Sequence, residues 1–365
     1  TSPHITDFRE RFRVNDTMIS EADFCRLMAE IQPEILDIAS DLPESVCISP
    51  MGIQADLALT YFSEKNTDFN VFECGKGAKY DDVNNIRHDC AVINRIFLEH
   101  TRELGDTLAA IAEDKSHVIT GEQKCVYFAE QKPEVLEVLV RRAEAMQVPY
   151  KIYGRDFQAE NIRYACSGML FDVVIGDNIY PDLQIPLLGE HQAKNCALAL
   201  AVCVDVMADL CRKSDTPDIF SETMCNQIRR QLSAIHHPGR MEILSSDPFV
   251  LLDACIHSAS CENVKEVLRH LGILNCTVIV GIPEDKDYAG VVRSMKDVAA
   301  RIILTRSGNP HYHFSQHQRE VLMQEGILTE WTDSVKQALN LANSFSDAIV
   351  ILGTTSVISE TEQLF

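Results

Sequence analysis

The chain has 365 residues, 46% of them hydrophobic, and carries a formal charge of −21 from 33 Lys and Arg against 54 Asp and Glu. That length predicts about two domains with a sizeable core, while the acidic balance leaves no broad basic face for a phosphate backbone and excludes nucleic acid as the main partner. No apolar stretch is long enough to span a bilayer, and 13 cysteines without a close C-x-x-C pair, several in apolar runs (Cys196, Cys203, Cys255), predict reduced, buried thiols in a cytoplasmic protein.

In chain order, the apolar run 69–72 predicts a strand over 71–74, with Glu73 at its end and a Gly75-Lys76-Gly77 turn after it. A second strand, 91–96, leads to His100, and an amphipathic helix over 104–114 ends at Lys115. Strand 125–129, helix 133–146 and strand 150–153 continue an alternation that argues for a parallel sheet with helices on both faces. From 161 to 188 short runs around Asp172, Gly176, Asp177 and Asn178 predict antiparallel hairpins, a small β-rich edge. A long helix over 191–212 follows, with Ala197, Leu198, Ala201, Val202 and Val206 on one face. Pro238-Gly239 breaks the periodicity. Beyond it come strands 241–244 and 249–254, helix 262–271, strand 277–280, helix 288–298, strand 302–305, helices near Gln318 and Lys336, and strand 349–352, which predict a second doubly wound sheet.

Glu73 and His100 each follow a predicted strand, so both side chains can reach one crevice at the strands' carboxyl ends. Lys115 would fold back toward the same edge. Each also has a bland reading. A strand-end glutamate is usually solvated, a lone histidine (His100 or His191) is more often structural, and a lysine at a helix end is favoured by the dipole without any chemistry. Asn195 can be a polar group on a helix face, Pro238-Gly239 a turn, and Asp285-Lys286-Asp287 a solvated loop. What raises the main residues above these readings is their joint order.

That order carries a resemblance. Thr1-Ser2-Pro3-His4, the run Phe72 to Asp81, the run Asn94 to Gly105, Ile111 to Lys115, Leu188 to Asn195, Pro238 to Glu242 with Asp253, Asp285-Lys286-Asp287 and Gly353 to Ser356 together resemble the Mur ligase family, in its folylpolyglutamate synthase and dihydrofolate synthase branch. The resemblance implies an α/β protein: a doubly wound, ATPase-like central domain with a β-rich edge (1–235) and a Rossmann-like C-terminal domain (236–365). It implies ATP and magnesium as cofactors, with the metal on Ser2, Glu73 and His100, and a carbamylated Lys115 acting with His100 in catalysis. Asn195 would meet the adenine, and Arg240 and Asp253 would contact ATP. The implied reaction joins glutamate to a folate or pteroate-like acid through an acyl phosphate, with the acid in a cleft between domains and 236–238 as hinge. The partners are therefore a small-molecule acid and an amino acid.

The chain departs from the family pattern in three places. It holds no G-x-x-x-x-G-K-[ST] loop, and the motif around Ser2 is one that follows such a loop, so a preceding phosphate-loop segment is expected. Ile256 stands where the family has a histidine, with His257 next. Ala78, Lys79, Phe97 and Glu99 replace its Gly, Arg, Gly and Asp. Two alternatives stay open on these grounds: a Mur-type ligase for another acid or peptide precursor, and a catalytically inactive scaffold.

Overall fold

The computed structural model describes residues 4, 6–165, 168–211 and 221–365. Ser2, one of the expected metal ligands, lies outside them, as does Arg212 at the expected end of the long helix. The chain divides into two compact units, Thr1–Asp156 and Phe157–Phe365.

The first unit opens with a short hairpin, β1 (Arg13–Val14) and β2 (Thr17–Met18), then α1 (Glu21–Asp41) and α2 (Pro50–Glu64). Ser20 Oγ accepts the Asp23 N–H at 3.0 Å to start α1, and Ser49 with Pro50 behind it starts α2. Their inward faces bury Phe12, Ile19, Leu27, Ile31, Leu57 and Tyr61 in one cluster. A three-stranded parallel sheet follows, ordered β3 (Cys90–Ile93), β4 (Cys125–Phe128), β5 (Tyr150–Ile152). Between these strands run α3 (Thr101–Leu104), α4 (Leu108–Ser116) and α5 (Pro133–Ala145), and Ile111, Ala112, Val135 and Leu139 pack on Ala91, Ile93, Val126 and Phe128.

Two expectations are corrected here. Residues 71–74 form no strand. Val71 is 81% exposed, and the run's one anchored ring, Phe72, packs edge-on against Phe62 of α2. Its apolar character serves a helix, not a sheet, so Glu73 stands in an irregular segment. The helix expected over 104–114 is two helices, because Gly105 takes a φ of +106° and Thr107 caps a fresh start by accepting the Ala110 N–H at 3.1 Å.

The second unit begins with an antiparallel meander of β6 (Phe157–Ala165), β7 (Gly168–Ile175) and β8 (Asn178–Ile185). Next come α6 (Glu190–Cys211) and α7 (Glu222–Leu232). The remaining elements are β9 (Glu242–Ser246), β10 (Phe249–Asp253), α8 (Ser258–His270), β11 (Cys276–Gly281), α9 (Tyr288–Met295), β12 (Ala299–Thr305), α10 (His317–Gln324), β13 (Glu330–Thr332), α11 (Val335–Asn343), β14 (Ala348–Gly353) and α12 (Thr355–Glu362). Their sheet runs β13-β12-β11-β14-β10-β9 and is parallel except for the β9 edge. The inner strands are near-continuous Val, Ile and Leu, as burial on both faces requires. The meander packs on this sheet's core through Tyr164 of β6, which stacks on His270 at 3.7 Å, and Leu188, just after β8, lies in the same buried cluster as Met241 and Leu251. The division between units therefore falls earlier than the Pro238-Gly239 break. Cys196 and Cys255 are buried free thiols as expected, whereas Cys203 is exposed.

Candidate functional site

A cleft of about 650 Å³ opens in the first unit, and Glu73 and His100 both line it. The segment that carries Glu73 is set by carboxylates from outside itself. Asp81 Oδ2 accepts the Gly75 N–H at 2.7 Å, and its Oδ1 accepts that of Val83 at 3.0 Å. Asp114, in the last turn of α4, accepts from Ala78 N at 2.9 Å and Lys79 N at 3.4 Å. The approach is close enough that a Cβ on Gly77 would lie 2.1 Å from Asp114 Oδ1. On the far side His100 holds a left-handed φ of 48° at the start of α3 and makes no side-chain cap hydrogen bond, so α3 does not use its ring for capping.

Lys115 sits beside the cleft without lining it. Its Nζ donates to the Lys76 carbonyl at 2.9 Å and pairs with Glu99 at 3.0 Å. Two acceptors thus hold its nitrogen in place. Arg11 supplies a cation on the cleft wall, donating Nη1 to Gln54 Oε1 at 3.0 Å and Nε to His4 Nδ1 at 3.0 Å. Burial lowers its pKa and the Glu73 carboxylate pulls the other way, which places the two charges within each other's field. Cys74 also lines the cleft, but burial, with Asp81 adding to it, pushes its thiol up to about 11, so it is not a thiolate near neutral pH.

The second unit gathers the other candidates. His191 and Asn195 lie one turn apart on the first turns of α6 and so share a face. Asn195 Nδ2 donates to Gln192 at 3.3 Å. Burial, then the charge of Arg240, lowers His191 to about 4, and its buried Nδ1 has no hydrogen-bond partner. Asp253 closes β10 and is nearly fully buried. Its Oδ2 accepts the Met241 N–H at 2.9 Å, and Ala254 N donates to the Gly239 carbonyl at 2.9 Å. These two bonds pin Arg240 between fixed neighbours. Burial raises the Asp253 carboxyl to about 6 against the pull of that N–H and of Arg240.

Residues 34–203 match the Mur ligase middle domain. A probable bifunctional folylpolyglutamate synthase/dihydropteroate synthase of Haloferax volcanii is 28% identical over 99% of this chain and 42% of its own length, and a dihydrofolate synthase/folylpolyglutamate synthase of Mycobacterium tuberculosis is 27% identical over 85% and 64%. Over residues 34–203 the chain resembles the Mur ligase family. It spans less than two thirds of either relative. The crystal structure of M. tuberculosis folylpolyglutamate synthase complexed with ADP and AMPPCP superposes with a TM-score of 0.90 at 24% identity, over 100% of this chain and 83% of that one, which establishes the α/β fold.

The structure thus brings Glu73, His100 and Lys115 into one neighbourhood of the first unit, and Asn195, Arg240 and Asp253 into the second. Among the described residues no three His, Cys, Asp or Glu side chains gather as a metal cage. The Glu73 carboxylate is an oxygen donor of the kind that magnesium takes beside waters and phosphate oxygens, whereas the His100 imidazole is a softer nitrogen donor. Sequence reasoning left His191 with only its structural reading and gave Arg11 and Asp114 no role of their own. Their signal is in partners 36 to 43 residues away in the chain, which no local pattern displays.

Proposed function

We propose that the chain is an ATP-dependent acid–amino-acid ligase that joins glutamate to a folate or pteroate-like acid. The observation that carries this reading is the meeting of Glu73 and His100 on one cleft with Arg11 on its wall. A carboxylate attacks the γ-phosphate of ATP, ADP leaves, and the resulting acyl phosphate is attacked by the amino acid's amine, which expels phosphate and loses a proton. Bringing two anions together needs cations. When bound, magnesium would supply Lewis-acid neutralisation of the phosphate oxygens, held by Glu73 and His100 with Ser2 as the third expected ligand. Asn195, Arg240 and Asp253 would contact the nucleotide, with Arg240 pairing phosphate in forked geometry.

Carbamylation of Lys115 belongs to the same proposal with a condition attached. The carbamate is an anion, so Glu99 must release the nitrogen it now pairs with. Residues 1–235 and 236–365 are proposed as the family's central and C-terminal domains, and the cytoplasm as the location. Among the described residues no helix is long and apolar enough to cross a membrane.

The test supplies the chain with ATP, magnesium, glutamate and a panel of pteroate, folate and peptide-like acids, and follows ADP and phosphate. Phosphate release with folate or pteroate acids alone is the expected result. Turnover with peptide-like acids alone selects the other-substrate alternative, and absence of both turnover and magnesium-ATP thermal stabilisation selects the scaffold.

A further inference from the structure

Helix α8 starts at Ser258, and the residue in its capping position, His257, makes no side-chain cap hydrogen bond. The leading N–H groups of a helix need acceptors. For Ser258 the acceptor comes from 29 residues away: Asp287 Oδ2 takes its N–H at 2.9 Å. The other oxygen, Oδ1, accepts the Gly290 N–H at 3.1 Å and caps α9. Gly290 has to be glycine for this approach, because a Cβ there would lie 2.1 Å from Oδ1. One carboxylate therefore ties together the starts of two helices.

The consequence falls on the loop between them and β10. Only residues 254–257 separate Asp253 from Ser258. The near end of this loop is fixed by Ala254 N on the Gly239 carbonyl and by the Asp253 carboxylate on Met241 N. The far end is fixed by Asp287.

We propose that Asp287 is a positioning residue. It holds the 254–257 loop, and through it the Asp253–Arg240 arrangement, in the geometry that receives a nucleotide. That the ligand is a nucleotide rests on the ligase reading. Asp287 acts through the Ser258 N–H, and its carboxylate sets one oxygen at each of the two donors. An asparagine puts an NH₂ group, which cannot accept, where one of those oxygens stands.

Two variants of the full chain test this. Asp287→Ala removes both acceptor oxygens. Ser258→Pro removes the donor itself while leaving the α9 cap untouched, at a first helical position where proline is tolerated and after an extended residue. The measurements are amide exchange at Ser258, magnesium-ATP affinity by calorimetry and thermal melting. Expected are faster Ser258 exchange in Asp287→Ala, and about a three- to tenfold loss of affinity in both variants with cooperative melting retained. Unchanged Ser258 exchange, or wild-type affinity in a cooperatively melting Ser258→Pro, overturns the proposal. If the wild type binds no nucleotide, the ligase reading fails instead, and Ser258 exchange alone then decides whether Asp287 holds the loop.

Discussion

His191 and Asp253 face the same arginine, yet their protonation pulls stability in opposite directions. His191 is lowered from 6.5 to about 4. Between those values the unfolded chain binds a proton that the folded chain refuses, so stability falls as the pH drops through that window. Asp253 is raised from 3.8 to about 6. There the folded chain takes up the proton first, so its contribution grows as the pH falls from about 6 to about 4 and is lost as the pH rises through 6. His191→Gln should therefore flatten the acid limb of the stability curve, and Asp253→Asn should steepen it. Thermal melts between about pH 4.5 and 7.5 measure both; curves parallel to the wild type would reject these assignments. Neither shift is visible in a sequence. His191 reads there as a polar residue opening a helix, and only burial beside Arg240 turns it into a neutral imidazole.

The elements show where local pattern suffices. The parallel strands, the meander and the long helix α6 announce themselves by periodicity, because each is packed along most of its length. Helices α1 and α2 were not anticipated. Of the 21 residues of α1 only Leu27 and Ile31 are buried, and Pro33 interrupts it, so its apolar stripe is thin. The stretch 71–74 misleads in the opposite way, being apolar with only Phe72 anchored. The glycines mark a change of direction, which the chain makes as a bend at Gly75 and Lys76, but the carboxylates that hold this stretch, Asp81 and Asp114, lie outside it. Gly77→Ala should accordingly destabilise the chain by about 1–3 kcal/mol through overpacking against Asp114 and Leu104. In an Asp114→Ala background the penalty should shrink, since the carboxylate is gone and only Leu104 remains. A urea double-mutant cycle reads this coupling, and additive effects would mean that the turn relaxes away from α4.

At the scale of the whole molecule, the charge of −21 is only partly offset by ion pairs, most of which lie at the surface (Arg26–Glu64, Lys76–Glu103, Arg293–Glu325) and contribute little each. Net repulsion then outweighs them. Raising sodium chloride from about 0.05 to 0.5 M should raise the melting temperature, because screening weakens long-range repulsion over the Debye length of about 10 Å more than it weakens contacts near 3 Å. A melting temperature that falls with salt would show that the local pairs dominate.

The sheet order has a further consequence. β14, the last strand, lies between β10 and β11 and pairs with both. A nascent chain still lacking residues 348–353 has no strand to seat between those two, so this sheet closes only when the ribosome has delivered nearly all of the unit, and until then the flanks of β10 and β11 are open to chaperones and to neighbouring chains.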